Sequence, residues 1–341
     1  MNQITIGIFH DDALAKELGK KATQSDMVFF HRKTDDAVFS FLYAFEDKII
    51  PKSQIMNSID VALISGDQIT SALGETILLL DSLGYNKGAF LISPFSDPSA
   101  LRSMIKSTSL ESFQIIEKHI HSINTYLDGV TIKRSYDEPV IVTIDHFFHV
   151  KGVGEVVLGF VDQGILHKHD KLWLLPLKKE VVVRSIQMQD NDFNEALAGS
   201  RVGLALKGVT VDELKRGFIL CQPDMVETGS DLTLSFIKNR FYPQVSKGKF
   251  HATIGLQTVP ITISDITNET VTISAEKPIC YRKSQKVILL DLNADKLHHI
   301  GTGTTYNLIM SAVLWYDLCG VIIRWIHYTI LIWFAYGYNV F

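Results

Sequence analysis

The spacing of apolar residues changes character once along this chain, at Asp128-Gly129, and that change limits the fold more than any single residue. Before it, Ile4–Phe9, Met27–Phe30, Val61–Ser65 and Gly88–Ile92 are short apolar runs of strand type. Between them, Asp11–Ala22, Ala37–Phe45 and Ser71–Leu83 read as helices, the first with an Asp-Asp that can cap it. Ser109–Tyr126, with Phe113, Ile116, Ile120 and Ile123 at helical spacing, reads as a further helix. Strands alternating with helices imply parallel β-α-β units. After the change come short β-rich runs separated by Gly, Asp, Asn and Lys: Val140–Ile144, Val156–Val161, Lys171–Leu175, Val181–Met188, Arg201–Leu206 and Gly217–Leu220. A second set follows at Asp231–Phe236, Gln257–Thr262, Thr270–Ala275 and Lys286–Asp291, with Gln222-Pro223-Asp224 as the boundary. Evenly spaced short strands predict barrels or sandwiches.

Composition narrows the function classes. A net charge of −4 leaves no global basic excess, so DNA is not an expected partner and any RNA contact needs a local patch. Cys221, Cys280 and Cys319 are too far apart for a C-x-x-C pair or a zinc spacing, which suits a reducing cytosol. The body of the chain reads as cytoplasmic. From Leu308 to Phe341 the only acidic or basic groups besides His327 are Asp317 and Arg324, and Trp315, Trp325 and Trp333 cluster there. That segment is longer than the roughly 20 residues a membrane helix needs. Three readings stand: a membrane anchor, an extra buried or interfacial helix, or a sequence not native to the fold. Arg324 in mid-span would cost about 2.5–3.5 kcal/mol on insertion.

One stretch carries a specific pattern. Ile144-Asp145-His146-Phe147-Phe148-His149-Val150-Lys151-Gly152-Val153-Gly154-Glu155-Val156-Val157-Leu158-Gly159 is followed by Gly164-Ile165-Leu166, Asp170-Lys171-Leu172, Val183-Arg184-Ser185-Ile186-Gln187, Ala198-Gly199-Ser200-Arg201-Val202-Gly203-Leu204 and Arg216-Gly217-Phe218-Ile219-Leu220. This ordered set resembles the second domain of translational GTPases, nearest to the selenocysteine-specific elongation factors. Glu276-Lys277-Pro278-Ile279, Val287–Asp291 and Ile300-Gly301-Thr302-Gly303 resemble the last barrel of that family. The resemblance implies a multidomain α/β plus all-β fold: a GTPase-like domain over 1–128, barrels over 138–223 and 224–307, and the apolar tail 308–341. It also implies an aminoacyl pocket from Asp145, His146, Phe148 and Arg201. There Asp145 would orient its partners, while His146 and Arg201 offer positive charge to an anionic group. The residues alone equally allow Asp145 and His146 to be turn residues at a domain seam and Arg201 an ordinary paired arginine. Glu155 and Leu158 depart from the threonines usual in this stretch.

The nucleotide motifs of the family are missing. A phosphate loop needs G-x-x-x-x-G-K-[ST], with backbone N–H groups on the phosphates, a lysine on their oxygens and a hydroxyl on Mg²⁺. After the first strand this chain has Gly7-Ile8-Phe9-His10-Asp11-Asp12-Ala13-Leu14, with two carboxylates where phosphates would rest. Before the barrels a D-x-x-G occurs only as Asp81-Ser82-Leu83-Gly84, at the end of a helix, and the guanine-reading slot holds Pro94-Phe95-Ser96-Asp97. Gly7, Asp11, Asp12 and Asp97 are thus degenerate positions, at which no nucleotide binding is expected. His119, His121, His146, His149, His167 and His169 read as solvated or satisfied, although Glu117 and His121 would stand one helical turn apart. No metal is expected, and GTP with Mg²⁺ only if the family's activity survives. The resulting expectation is an elongation-factor-like protein that binds tRNA, the ribosome or another translation component without hydrolysing GTP. The alternatives are a scaffold tethered to a membrane through 308–341, and an active GTPase.

Overall fold

Ile4, Ile6 and Ile8 alternate along the first strand and are all buried, which places that strand inside a layered domain. The computed structural model describes residues 2–305, so the segment 308–341 and its anchor reading lie outside the described residues. The first part of the chain runs β1 (Asn2–Phe9), α1 (Asp12–Leu18), β2 (Lys20–Gln24), β3 (Met27–Lys33), β4 (Ala37–Ala44), α2 (Ile49–Met56) and β5 (Val61–Ser65). It continues through α3 (Ser71–Leu83), β6 (Gly88–Ile92), α4 (Ser99–Ile105), β7 (Gln114–Glu117) and α5 (Ile120–Asp128). The seven strands form one sheet in the order β2-β3-β4-β1-β5-β6-β7, parallel from β4 to β7, with β2 and β3 an antiparallel hairpin at one edge. Ile55, Leu73, Leu80 and Leu101, from α2, α3 and α4, pack in the core on one face. Leu14, Leu18, Ile123 and Leu127, from α1 and α5, pack on the other.

Three expected helices are corrected. Ala37–Phe45 is strand β4, buried at every position because it lies between β1 and β3 with helices over both faces. A strand covered on both sides loses its alternation, so its sequence pattern cannot be told from a buried helix. Asp11–Ala22 is helical only to Leu18; Gly19 is extended and leads into β2. Ser109–Tyr126 breaks into a short 3₁₀ turn, strand β7 and helix α5, whose start is capped by His119. Glu117 therefore ends a strand while His121 sits in the helix beyond, so the two are not one helical turn apart on a common helix.

The rest of the described chain is all β. In the first barrel the strands are β8 (Ile141–Val150), β9 (Gly154–Gln163), β10 (Ile165–His167), β11 (Lys171–Leu175), β12 (Lys179–Met188), β13 (Asn191–Phe193), β14 (Glu195–Leu197), β15 (Arg201–Lys207) and β16 (Ile219–Cys221). The ring β11-β16-β8-β9-β15-β12 closes through the β11–β12 pairing. Gly159 of β9 is needed there, since a Cβ would lie 2.4 Å from the Thr143 carbonyl oxygen. The second barrel contains β17 (Glu227–Lys238), β18 (Gly248–Ile254), β19 (Gln257–Ile266), β20 (Thr270–Tyr281), β21 (Lys286–Leu290) and β22 (His299–Thr305), closed in the order β17-β20-β19-β18-β21-β22.

The α/β layer docks on both barrels. Phe160 of the first barrel and Leu256, Ile288 and Leu290 of the second belong to the same apolar cluster as Phe9, Phe29 and Phe90. Glu75 of α3 is buried and accepts the backbone N–H groups of His298 (2.5 Å) and His299 (3.0 Å). Ser53 and Gln54 of α2 reach Thr253 and Thr258, each at 3.0 Å. The Arg282 guanidinium donates to Asp162 at 3.0 Å and joins the two barrels.

Candidate functional site

Ligands of open parallel sheets gather outside the carboxyl ends of the strands, where the strand order reverses. Here that point is β1, flanked by β4 and β5. Two residues, His10 and Asp11, connect β1 to α1. His10 takes a positive φ of 63° and its Nε2 meets the Thr76 hydroxyl at 2.8 Å; burial pushes its pKa down, against the pull of Asp47. Asp11 caps α1, accepting the Leu14 N–H at 3.3 Å, while its other oxygen meets the Lys118 ammonium at 2.7 Å. Gly7 lies in β1 and is small for packing: a Cβ would come within 2.7 Å of Ile59 and 2.9 Å of Phe9.

Carboxylates dominate this edge. Asp12 is pushed above its ordinary pKa by burial first, then by Asp47 and Asp11. Asp47 ends the turn after β4 and pairs with the buried Lys52 at 2.6 Å. Asp67, after β5, accepts the Ser93 hydroxyl at 2.8 Å and lies 3.8 Å from Lys118. Asp97 spends its carboxylate on Ser99, at 2.9 Å to the N–H and 2.6 Å to the hydroxyl, at the entry of α4. Asp81, near the C-terminal end of α3 and so at the opposite edge of the sheet, accepts the Ser109 N–H at 2.7 Å. Such an edge attracts cations and repels a polyphosphate.

The second constellation lies where β8 and β15 of the first barrel meet the β2–β3 hairpin. Asp145 is 1% exposed and takes two bonds from Arg201, Nε to Oδ2 at 3.0 Å and Nη2 to Oδ1 at 3.2 Å. His146 Nδ1 lies 2.7 Å from Asp145 Oδ1. Burial pushes the Asp145 carboxyl up; Arg201 and His146 more than offset it, so the group sits below the usual carboxylate range. The hairpin completes the cluster. Arg201 Nη1 donates to the Thr23 hydroxyl at 3.1 Å, His146 Nε2 lies 2.8 Å from the Ser25 hydroxyl, and the Arg201 guanidinium stacks over Phe29 at 3.9 Å. Arg216 grips Asp26 through both terminal nitrogens, at 2.8 and 2.6 Å, and holds that carboxyl down to about 2. Beside the cluster is a cavity of about 380 Å³ lined by Lys20, Lys21, His31, Phe148, Asp190 and Arg201. Burial, then Lys20, pushes the His31 pKa down.

Asp145, His146 and Arg201 are thus brought together, with Phe148 on the cavity wall beside them. Sequence reasoning missed Thr23, Ser25, Asp26 and Phe29 as partners; they lie on a hairpin whose first residues, Lys20–Ala22, fall at the end of the expected helix Asp11–Ala22. It also missed Arg216 as a partner, although Arg216 sits inside a quoted motif, and Lys118, whose place at the end of β7 no local pattern marks.

Residues 154–221 match the family described as Elongation factor Tu domain 2. The Uncharacterized protein MJ0325 of Methanocaldococcus jannaschii is 37% identical over 308 residues, 89% of this chain and 99% of that protein. This chain belongs to the same family as MJ0325. It is a translational-GTPase-like protein near SelB. The selenocysteine-specific elongation factor of the same organism is 41% identical over 144 residues, 41% of this chain but only 31% of that factor. Among solved structures, elongation factor SelB from Methanococcus maripaludis in complex with the GTP analogue GppNHp superposes with a TM-score of 0.77, at 24% identity over 90% of this chain and 79% of that one. A bacterial selenocysteine-specific factor, EF-Sec, gives 0.73 at 20% identity, over 89% and 58%. At these identities the likeness is one of fold: an α/β domain followed by two barrels, as the barrel motifs and alternating elements predicted. Among the described residues no helix is long and apolar enough to cross a membrane.

Proposed function

We propose that this chain is a cytoplasmic SelB-like protein that binds a component of the translation machinery, tRNA or the ribosome, and works without hydrolysing GTP. The observation that carries the second half is the β1–α1 turn. A phosphate cradle needs a run of backbone N–H groups and a lysine, and here two residues span the gap, one of them a carboxylate held by Lys118. Positioning and electrostatic stabilisation supply nearly all of phosphoryl-transfer catalysis, and this edge offers a triphosphate like charge instead. The first half is supported by the family, by the SelB-like arrangement of the barrels and by the Asp145, His146 and Arg201 cluster with Phe148 beside it.

Titration with a fluorescent GTP analogue tests the loss of nucleotide chemistry. No saturable binding in the micromolar range is expected, and binding that unlabelled GTP competes away would restore the active GTPase. Filter binding of tRNA and co-sedimentation with ribosomes at moderate salt test the translation role. Retention of either supports it; retention of neither ends it.

A further inference from the structure

On Arg201 and His146, the side turned toward the α/β domain is already occupied. Arg201 gives Nη1 to Thr23 and its face to Phe29, and His146 meets Ser25 through the ring nitrogen not used on Asp145. All three contacts come from the β2–β3 hairpin. We propose that this hairpin is a built-in occupant of the seam pocket: the Thr23 and Ser25 hydroxyls hold the positions an anionic ligand would take on Arg201 and His146, and the site opens when the hairpin tip withdraws. The inference rests on reading Asp145, His146 and Arg201 as a ligand pocket.

The chemistry favours exchange. A hydroxyl is a neutral acceptor, whereas a carboxylate or phosphate makes charge-assisted bonds to guanidinium and imidazolium that are roughly twice as strong. The β2 arm of the hairpin is also the part of the sheet with the least support. Strand β2 pairs on one side only, its register with β3 breaks between Lys21 and Gln24, and its side chains are mostly exposed. Two things hold the tip: in the sheet, the Phe45 N–H on the Asp26 carbonyl at 2.8 Å and the pairing of Met27 with Ala44, and from the barrel a latch, Arg216 on Asp26 with two bonds and on the Asp145 carbonyl at 3.2 Å with a third. The 380 Å³ cavity alongside is large enough for a small ligand, and Lys20 and Lys21 on its wall draw an anion toward Arg201.

Arg216→Gln releases the latch without freeing a new cation. Hydrogen–deuterium exchange at Lys20–Met27 is expected to rise by about tenfold or more, while β8 and β15 stay protected. Inorganic phosphate, titrated by calorimetry as the probe anion, is expected to bind this variant about tenfold more tightly than the native chain, and adding Arg201→Gln removes the gain. A second variant, Thr23→Ala with Ser25→Ala, deletes only the two competing hydroxyls. It gives the same gain in phosphate affinity and decides the matter if Arg216→Gln does not fold. The proposal is overturned if the hairpin exchanges no faster, if it loosens with no gain in phosphate affinity, or if the gain survives Arg201→Gln. Because the probe is phosphate alone, failure here is separate from failure of the tRNA and ribosome assays on the native chain.

Discussion

At the sheet edge Asp11 meets a single ammonium, Lys118, whose side chain is a third exposed; at the barrel seam Asp145 meets Arg201 and His146 with almost no access to water. Both are carboxylates held by cations, yet the surroundings give them different weight. A pair near water gains little, because solvent already stabilises each partner. A carboxylate fully withdrawn from water depends on its partners, and losing one strands the other. The seam is therefore the more dependent on its charges, whereas the Asp11–Lys118 pair, with its ammonium a third exposed, can change at smaller cost to folding. That contrast fits the proposed loss of nucleotide chemistry at the β1–α1 turn in a chain that keeps a SelB-like fold.

The largest effect should come from Arg201→Ala. It leaves Asp145 buried and half-paired, and chemical denaturation should report a loss of about 3–5 kcal/mol. A loss below about 1 kcal/mol would erase the distinction between seam and edge. Next is acid. Burial pushes the His299 imidazole, in the second barrel, down to about 4, so folding favours its neutral form. Stability from this group is complete above its unfolded pKa near 6.5 and is lost as pH falls through about 4, by about 3 kcal/mol. Thermal melts between pH 7 and 4 check this, and His299→Gln should flatten the profile. Asp26→Asn removes the charge from the Arg216 latch; since Asp26 is well exposed, the expected cost is only about 1 kcal/mol. Smallest is Lys118→Ala, about 1 kcal/mol or less, with high salt masking it further. A larger loss there than for Arg201→Ala would reverse the comparison.

Legibility followed the same division. The barrels are readable because several of their strands have one wet and one buried face, so alternation survives in Leu232–Phe236 or Lys179–Met188. Strands β18 and β22 were not read, the latter because His-Ile-Gly-Thr-Gly-Thr-Thr carries little apolar signal. Helices α2 and α4 were also unread, α2 because it begins Ile-Ile-Pro and buries Lys52, Ser53 and Gln54. In the sheet, Ala37–Ala44 has no wet face at all, and its period vanishes with it. Of the seam, Asp145, His146 and Arg201 could be named because they fall within spaced motifs; their hairpin partners could not.

Local sequence settled what neighbours along the chain decide: the change from mixed to all-β structure at Asp128-Gly129, the glycine at 159 in a crowded strand, and the absence of a glycine-lysine phosphate loop after the first strand. Tertiary structure alone decided that Asp11 would meet Lys118, and that Thr23, Ser25 and Asp26 would close over Arg201, His146 and Arg216. The physical reason is distance along the chain. Propensity and turn chemistry act over a few residues, whereas these pairs are more than a hundred positions apart and meet only once the buried sheet and barrel cores have fixed where each strand lies.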